Sequence, residues 1–115
     1  KSLYFLENTD PELVNFQMDL FWVTKAGADP VTYFKKYPGR FKLWHVKDMD
    51  EEGKFAPVGE GTIDFDRILK ERKASGMKYY IVEQDMTFDL KPLEAIKISH
   101  DNLKDFGFDK VKYKK

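Results

Sequence analysis

The chain contains no cysteine, which excludes disulfides and any thiolate metal site, so a bound metal would be held by nitrogen and oxygen ligands. It has no excess of charge either. Twenty basic residues balance 20 acidic ones, so no overall field draws a polyanion, and neither nucleic acid nor an anionic membrane is expected as a partner. No apolar run approaches the roughly 20 residues that cross a bilayer, and no signal peptide is visible. A soluble protein of the cytoplasm or periplasm is the expectation. Lys1 stands where an initiator methionine is usual, so the natural N-terminus, with any signal peptide, is expected upstream.

What is present suits a core. Within 115 residues, 42% are hydrophobic and 16% aromatic, enough for one small unit, and residues 1–115 read as a single segment without linker, repeat or low-complexity tract. Residues 1–8 read as the end of a helix. From Val14 to Trp22 the pattern alternates, with Asn15, Gln17 and Asp19 on one face and Phe16, Met18 and Leu20 on the other, which predicts a strand. Asp29-Pro30 is helix-start chemistry, with Val31, Phe34 and Tyr37 as the inward stripe and Pro38-Gly39 as the stop. Phe41 to Val46 predicts a second strand. A long loop follows from Met49 to Thr62. Asp64 caps the next helix, Gly76 ends it, and Met77 to Gln84 reads as a third strand, apolar on both faces until Glu83. The last helix spans Pro92 to Phe106, with Leu93, Ile96, Leu103 and Phe106 expected inward, before a charged tail, Asp109 to Lys115, expected to fray.

Helices alternating with strands predict an α/β fold with parallel strands and right-handed crossovers. Three parallel strands leave two open edges. They also leave a face, bearing Asn15, Gln17, Phe41, Leu43, Tyr79 and Ile81, with no opposing layer. The last position of that face on each strand is a possible metal ligand: Asp19, His45 and Glu83. Counting back by twos keeps the face constant, so all three side chains are expected together at the C-terminal ends of the strands, where ligands gather in parallel sheets and barrels. One imidazole and two carboxylates suit Mn, Mg, Co or Zn. Such an ion polarises a carbonyl and its neighbouring hydroxyl, and Glu83 is placed to move a proton.

Each of these residues has a plainer reading. His45 as a hydrogen-bonded structural residue, Asp19 and Glu83 as strand-end caps, and Lys47 with Asp48 as a solvated pair would all be ordinary. Trp22 has both a core reading and a sugar-stacking reading. Glu60, between Gly59 and Gly61, reads as a loop carboxylate, and it weakens any phosphate-binding reading of that glycine pair because it opposes an anion. Trp22, Lys47, Asp48 and Glu60 are the candidate substrate contacts.

Four stretches resemble sugar phosphate isomerase/epimerase proteins of the xylose isomerase-like barrel superfamily. They are Met18-Asp19-Leu20-Phe21-Trp22-Val23 continuing to Gly27-Ala28-Asp29-Pro30, then Leu43-Trp44-His45-Val46-Lys47-Asp48, Val58-Gly59-Glu60-Gly61-Thr62-Ile63-Asp64-Phe65, and Tyr80-Ile81-Val82-Glu83-Gln84-Asp85. The likeness covers nearly the whole chain and resembles the C-terminal half of a (β/α)8 TIM barrel, from the fifth helix to the eighth. It implies a divalent metal at the C-terminal mouth, held by two glutamates, an aspartate and a histidine. Asp19, His45 and Glu83 would be three of these, with the fourth, a glutamate, before Lys1. It also implies that Glu83 is one of two groups sharing proton transfers beside a ketose carbonyl.

The ketose epimerases carry a histidine where this chain has Trp22 and an arginine where it has Lys47, which leaves the substrate open. The expectation is a metal-dependent sugar or sugar-phosphate isomerase or epimerase acting on a small molecule. Taken alone, these residues are expected to be inactive, and to self-associate or pair with the missing N-terminal half. The alternatives are a non-catalytic carbohydrate- or metal-binding module and an abasic-site endonuclease-like phosphodiesterase. Two histidines and a balanced charge weigh against the second.

Overall fold

The computed structural model describes residues 2–112. Its elements run α1 (Ser2–Asn8), β1 (Phe16–Asp19), α2 (Leu20–Lys25), α3 (Pro30–Lys36), β2 (Phe41–Val46), β3 (Asp48–Met49), β4 (Phe55–Ala56), α4 (Phe65–Lys70), α5 (Arg72–Ser75), β5 (Tyr79–Val82) and α6 (Pro92–Asp105), closed by a 3-10 turn, Phe108–Lys110. The strands β1, β2 and β5 form one parallel sheet in that order. This is the parallel α/β sheet that the alternation of elements predicts, and it matches part of a (β/α)8 barrel, as the resemblance implies.

Local chemistry sets the boundaries. Asp29 accepts a hydrogen bond from the Val31 N–H at 3.1 Å with Pro30 at the first helical position, and Asp64 accepts from the Arg67 N–H at 2.9 Å. Both are N-caps that satisfy donors the helix leaves unpaired. Gly76 ends α5 at φ +76°, and a Cβ there would lie 2.8 Å from the Gly39 Cα, so the position requires glycine twice over.

One face of the sheet is packed. Met18, Trp44 and Val46 are buried beneath helices that bring in Leu20, Phe34, Phe65 and Ile68. Trp44 lies parallel to Phe34 with ring centroids 5.1 Å apart. Its Nε1–H donates to the Ser75 Oγ at 2.8 Å, and Ser75 donates in turn to the Phe41 carbonyl at 2.6 Å. The indole is thereby buried without stranding its polar edge. Each fully buried apolar side chain in this layer contributes on the order of 2 kcal/mol. The opposite face, with Gln17, Leu43, Tyr79 and Ile81, has no such cover among the described residues: Tyr79 and Ile81 are 48% and 49% exposed. Phe41 departs from the expected open row, because it turns to pack against Phe34 and Phe16 and is buried.

Several expectations need correction. The first strand does not run to Trp22; it ends at Asp19, whose Oδ1 accepts from the Trp22 N–H at 3.1 Å and starts α2. A capping carboxylate at the end of an alternating run stops the strand as readily as it ends it in a ligand. The third strand is shorter than Met77 to Gln84, and its apolar inner face is half exposed. The loop after β2 contains an antiparallel ribbon, β3 with β4. In α6 the inward residues are Ala95, Ser99 and Leu103, whereas Leu93 is 82% and Ile96 50% exposed. That helix turns a partly polar face inward because Ser99 accepts from the Val58 N–H at 2.9 Å and Asn102 donates to the Val58 carbonyl at 2.9 Å. The 3-10 turn orders the start of the charged tail; residues 113–115 of that tail lie outside the described residues. No helix among the described residues is long and apolar enough to cross a membrane.

Candidate metal centre at the strand tops

The register brings the three expected ligands together. Asp19 pairs with His45 across β1 and β2, and His45 with Ile81 across β2 and β5. Glu83 lies two residues beyond Ile81, tied by its N–H to the Val46 carbonyl at 3.2 Å. Because strand side chains alternate, Asp19, His45 and Glu83 emerge on the same open side. Their ligand atoms all lie within 4.8 Å of one another. The His45 Nδ1 is 3.6 Å from the Asp19 Oδ2 and 3.4 Å from the Glu83 Oε2, beyond the usual N–H···O range. The imidazole therefore faces two carboxylate oxygens without bonding to either.

A fourth group joins them. The Lys47 ammonium, almost wholly buried, lies 2.8 Å from the Glu83 Oε2, 3.1 Å from the Asp19 Oδ2 and 2.8 Å from the Asp85 Oδ2. Burial alone would push its pKa down, but the contacts with Asp85, Glu83 and Asp19 outweigh that and raise it above the usual lysine value. Three carboxylates against one ammonium leave the cluster with a deficit of positive charge. The Glu83 Oε2 is buried, with the Lys47 ammonium at 2.8 Å and the His45 Nδ1 at 3.4 Å. One carboxylate oxygen each of Glu83 and Asp19 and an imidazole nitrogen of His45, on one side of a sheet and within 4.8 Å of one another, fit a divalent cation in donor type and spacing.

The remaining candidates part company. Asp48 is not at the open side. It is 1% exposed, and its carboxylate accepts from the backbone N–H groups of Met49, Gly59, Gly61 and Ile63 at 2.7 to 3.2 Å. Burial raises its pKa while those four N–H groups oppose the rise. Its geometry is that of a loop clamp rather than a substrate contact, and Lys47 and Asp48 are not a solvated pair. Trp22 is 51% exposed, which removes its core reading. It packs edge-on against Phe21 and Phe55 and, with Asp19, lines a cleft of about 300 Å³. Glu60 is exposed, accepts from the Asn102 Nδ2 at 3.1 Å, and lines a separate cleft of about 230 Å³. Sequence reasoning singled out no role for Asp85, two residues beyond Glu83, whose carboxylate meets the Lys47 ammonium at 2.8 Å.

The chain also resembles known proteins. No family model matches it. A crystal structure of a sugar phosphate isomerase/epimerase from Parabacteroides distasonis superposes with a TM-score of 0.81 at 32% identity, covering 96% of this chain and 37% of that one. Over this part of their length, the chain is similar to proteins of the xylose isomerase-like TIM barrel superfamily. Curated relatives point the same way. An inosose dehydratase from Lacticaseibacillus casei is 34% identical over 67% of this chain and 33% of its own length. One from Clostridium botulinum is 33% identical over 77% of this chain and 37% of its own. The chain thus spans about a third of the length of the curated relatives it matches.

Proposed function

We propose that this chain carries one side of the mouth of a sugar-modifying barrel enzyme, with Asp19, His45 and Glu83 as ligands for a divalent metal and Glu83 as a proton-transfer group. The observation that carries the reading is the convergence of the His45 Nδ1 with one oxygen each of Asp19 and Glu83 on the open side of the sheet. When bound, a divalent ion supplies positive charge where a carbonyl oxygen gains negative charge. Asp19 and His45 position it. The Glu83 carboxylate takes the proton from the carbon beside the carbonyl; the C–H electron pair becomes the new carbon–carbon double bond and the carbonyl oxygen takes the charge. Lys47 holds the Asp19 and Glu83 oxygens in place.

This first step is common to the two chemistries named among the similar proteins. Return of a proton to the same carbon from the opposite face epimerises the substrate, and its return to the former carbonyl carbon, as the neighbouring hydroxyl loses its own proton, isomerises it; departure of a hydroxyl as water, one carbon further on, dehydrates it. The substrate class is a polyhydroxylated ketone. We further propose that residues 1–115 form a single segment whose bare inner face and two open sheet edges drive self-association or pairing with the rest of a barrel. The isolated chain then turns over slowly or not at all, because a second proton-transfer group is required.

Titration of the chain with Mn²⁺, followed by the loss of the free-ion electron paramagnetic resonance signal, tests the metal assignment. Saturable binding that disappears in His45→Ala is expected; no binding, or equal binding in the variant, overturns it. In an enzyme with a complete barrel mouth built on these residues, Glu83→Gln should abolish exchange of the α-hydrogen of a hydroxy-ketone with deuterated solvent. The presence of Lys47 on the same oxygens favours a second reading, a binding module without turnover. Metal binding with no exchange of the α-hydrogen of a hydroxy-ketone in the parent enzyme would select it.

A further inference from the structure

Asp85 stands apart from the other carboxylates at the strand tops. It lies past the end of β5, in the loop to α6, and the Gln84 side-chain amide donates to the Met86 carbonyl at 2.7 Å, bridging across it. Its Oδ2 accepts a hydrogen bond from the Lys47 ammonium at 2.8 Å. Lys47 in turn has little freedom to leave. Its backbone sits between Val46 and Asp48, both buried, and the Asp48 carboxylate is tied to backbone N–H groups of the loop that follows.

An ammonium has three N–H donors, and three carboxylates surround this one, with Asp19 at 3.1 Å and Glu83 at 2.8 Å beside Asp85. Two of the three, Asp19 and Glu83, also belong to the group spaced to hold an ion with His45; Asp85 is outside that group. An ion that takes one oxygen from each therefore takes them from Lys47. The ammonium is then a buried cation close to a dication, and such repulsion is strongest where water is scarce.

The charges show what Asp85 adds. A divalent ion and Lys47 together carry three positive charges, and Asp19, Glu83 and Asp85 carry three negative ones, a metal-bound imidazole being neutral. Without Asp85 the loaded cluster would hold an uncompensated positive charge beside a buried lysine.

We infer that Asp85 is a positioning residue of this centre: it anchors the Lys47 ammonium while a divalent ion takes over the oxygens of Asp19 and Glu83, so that affinity for the ion depends on Asp85 through Lys47. The inference rests on the metal reading of Asp19, His45 and Glu83 and adds to it a residue that acts through another.

The test is a cycle of Mn²⁺ affinities, read from the free-ion electron paramagnetic resonance signal, for the parent chain, Asp85→Asn, Lys47→Met and the double variant. Asp85→Asn should weaken Mn²⁺ binding at least tenfold. In the Lys47→Met background the same change should weaken it less than threefold, because no ammonium remains to be anchored. A second readout follows the lysine itself and needs no variant. In the parent, the ¹H–¹⁵N signal of the hydrogen-bonded Lys47 ammonium should persist at saturation with diamagnetic Zn²⁺; in Asp85→Asn it should be lost.

Equal losses of affinity in the two backgrounds would show Asp85 acting on the ion by its charge alone and overturn the inference. So would an unchanged affinity in Asp85→Asn, or loss of the ammonium signal in the Zn²⁺-loaded parent. Each of these leaves the metal assignment standing where the parent binds Mn²⁺ and His45→Ala does not. A parent that binds no Mn²⁺ removes that assignment, and the role of Asp85 with it.

Discussion

Lys47 and Glu83 meet at 2.8 Å through the same glutamate oxygen that faces the His45 imidazole. The lysine and the proposed divalent metal would therefore draw on one set of carboxylate oxygens. Lys47→Met keeps the stem and removes the charge, leaving Asp19, Glu83 and Asp85 crowded without a counter-ion. Breaking a buried ion pair by removing one partner costs about 3 kcal/mol, and a loss of that size is expected in urea unfolding. Mn²⁺ should restore more stability to the variant than it adds to the parent, because only in the variant does the ion relieve uncompensated repulsion. Equal stabilisation of the two would show that the ion binds elsewhere.

Asp48 and Gly61 form one device. A Cβ at Gly61 would lie 2.4 Å from the Asp48 Oδ1 and 2.5 Å from the Met49 carbonyl, so alanine cannot enter without pushing the clamp apart. Asp48→Ala strands four backbone N–H groups, at about 1 to 3 kcal/mol for each that finds no other partner. Water reaches some of these in a loop, so a total of about 3 kcal/mol is expected from thermal or urea unfolding. Gly61→Ala should approach it. Both should increase amide exchange across residues 48–62 while leaving β2 protected.

The corrected face of α6 gives a paired prediction. Leu93→Ala should change stability by less than about 0.5 kcal/mol, as expected of a surface position, because Leu93 is 82% exposed. Ser99→Ala should cost about 1 to 2 kcal/mol by leaving the buried Val58 N–H unpaired. The reverse order of the two losses would restore the hydrophobic face read from the sequence.

These contrasts mark what was legible. Asp19, His45 and Glu83 could be read together because a strand has period two: once three parallel strands are recognised, parity alone brings their last open-side residues to one place. The caps at Asp29 and Asp64 were equally plain, since they act within a few residues. Asp48 was misread because its partners return 11 to 15 residues later through Gly59, Gly61 and Ile63, a closure that no local pattern encodes. The inward face of α6 was misread for a related reason. Hydrophobic spacing favoured Leu93 and Ile96, but hydrogen bonds from Ser99 and Asn102 to a distant loop set the rotation of the helix.

Asp29 separates a cap from a charge. Its carboxylate caps α3 and also takes a two-pronged contact from Arg67, at 2.9 and 2.7 Å. The Arg67 guanidinium, ahead of the opposing cost of burial, lowers its pKa from 3.8 to about 2. A carboxyl with a lowered folded-state pKa adds stability that is complete above its unfolded value and is lost as pH falls through the folded one. The window is therefore pH 4 down to 2. Both side chains are more than a third exposed, so solvent and salt keep the contribution to about 1 kcal/mol or less. Asn is as good an N-cap as Asp, so Asp29→Asn should keep α3 intact while losing this amount at pH 7. The parent and the variant should then converge in stability as pH falls from 4 to 2. A gap that stays constant through this range would assign the loss to the cap rather than to Arg67.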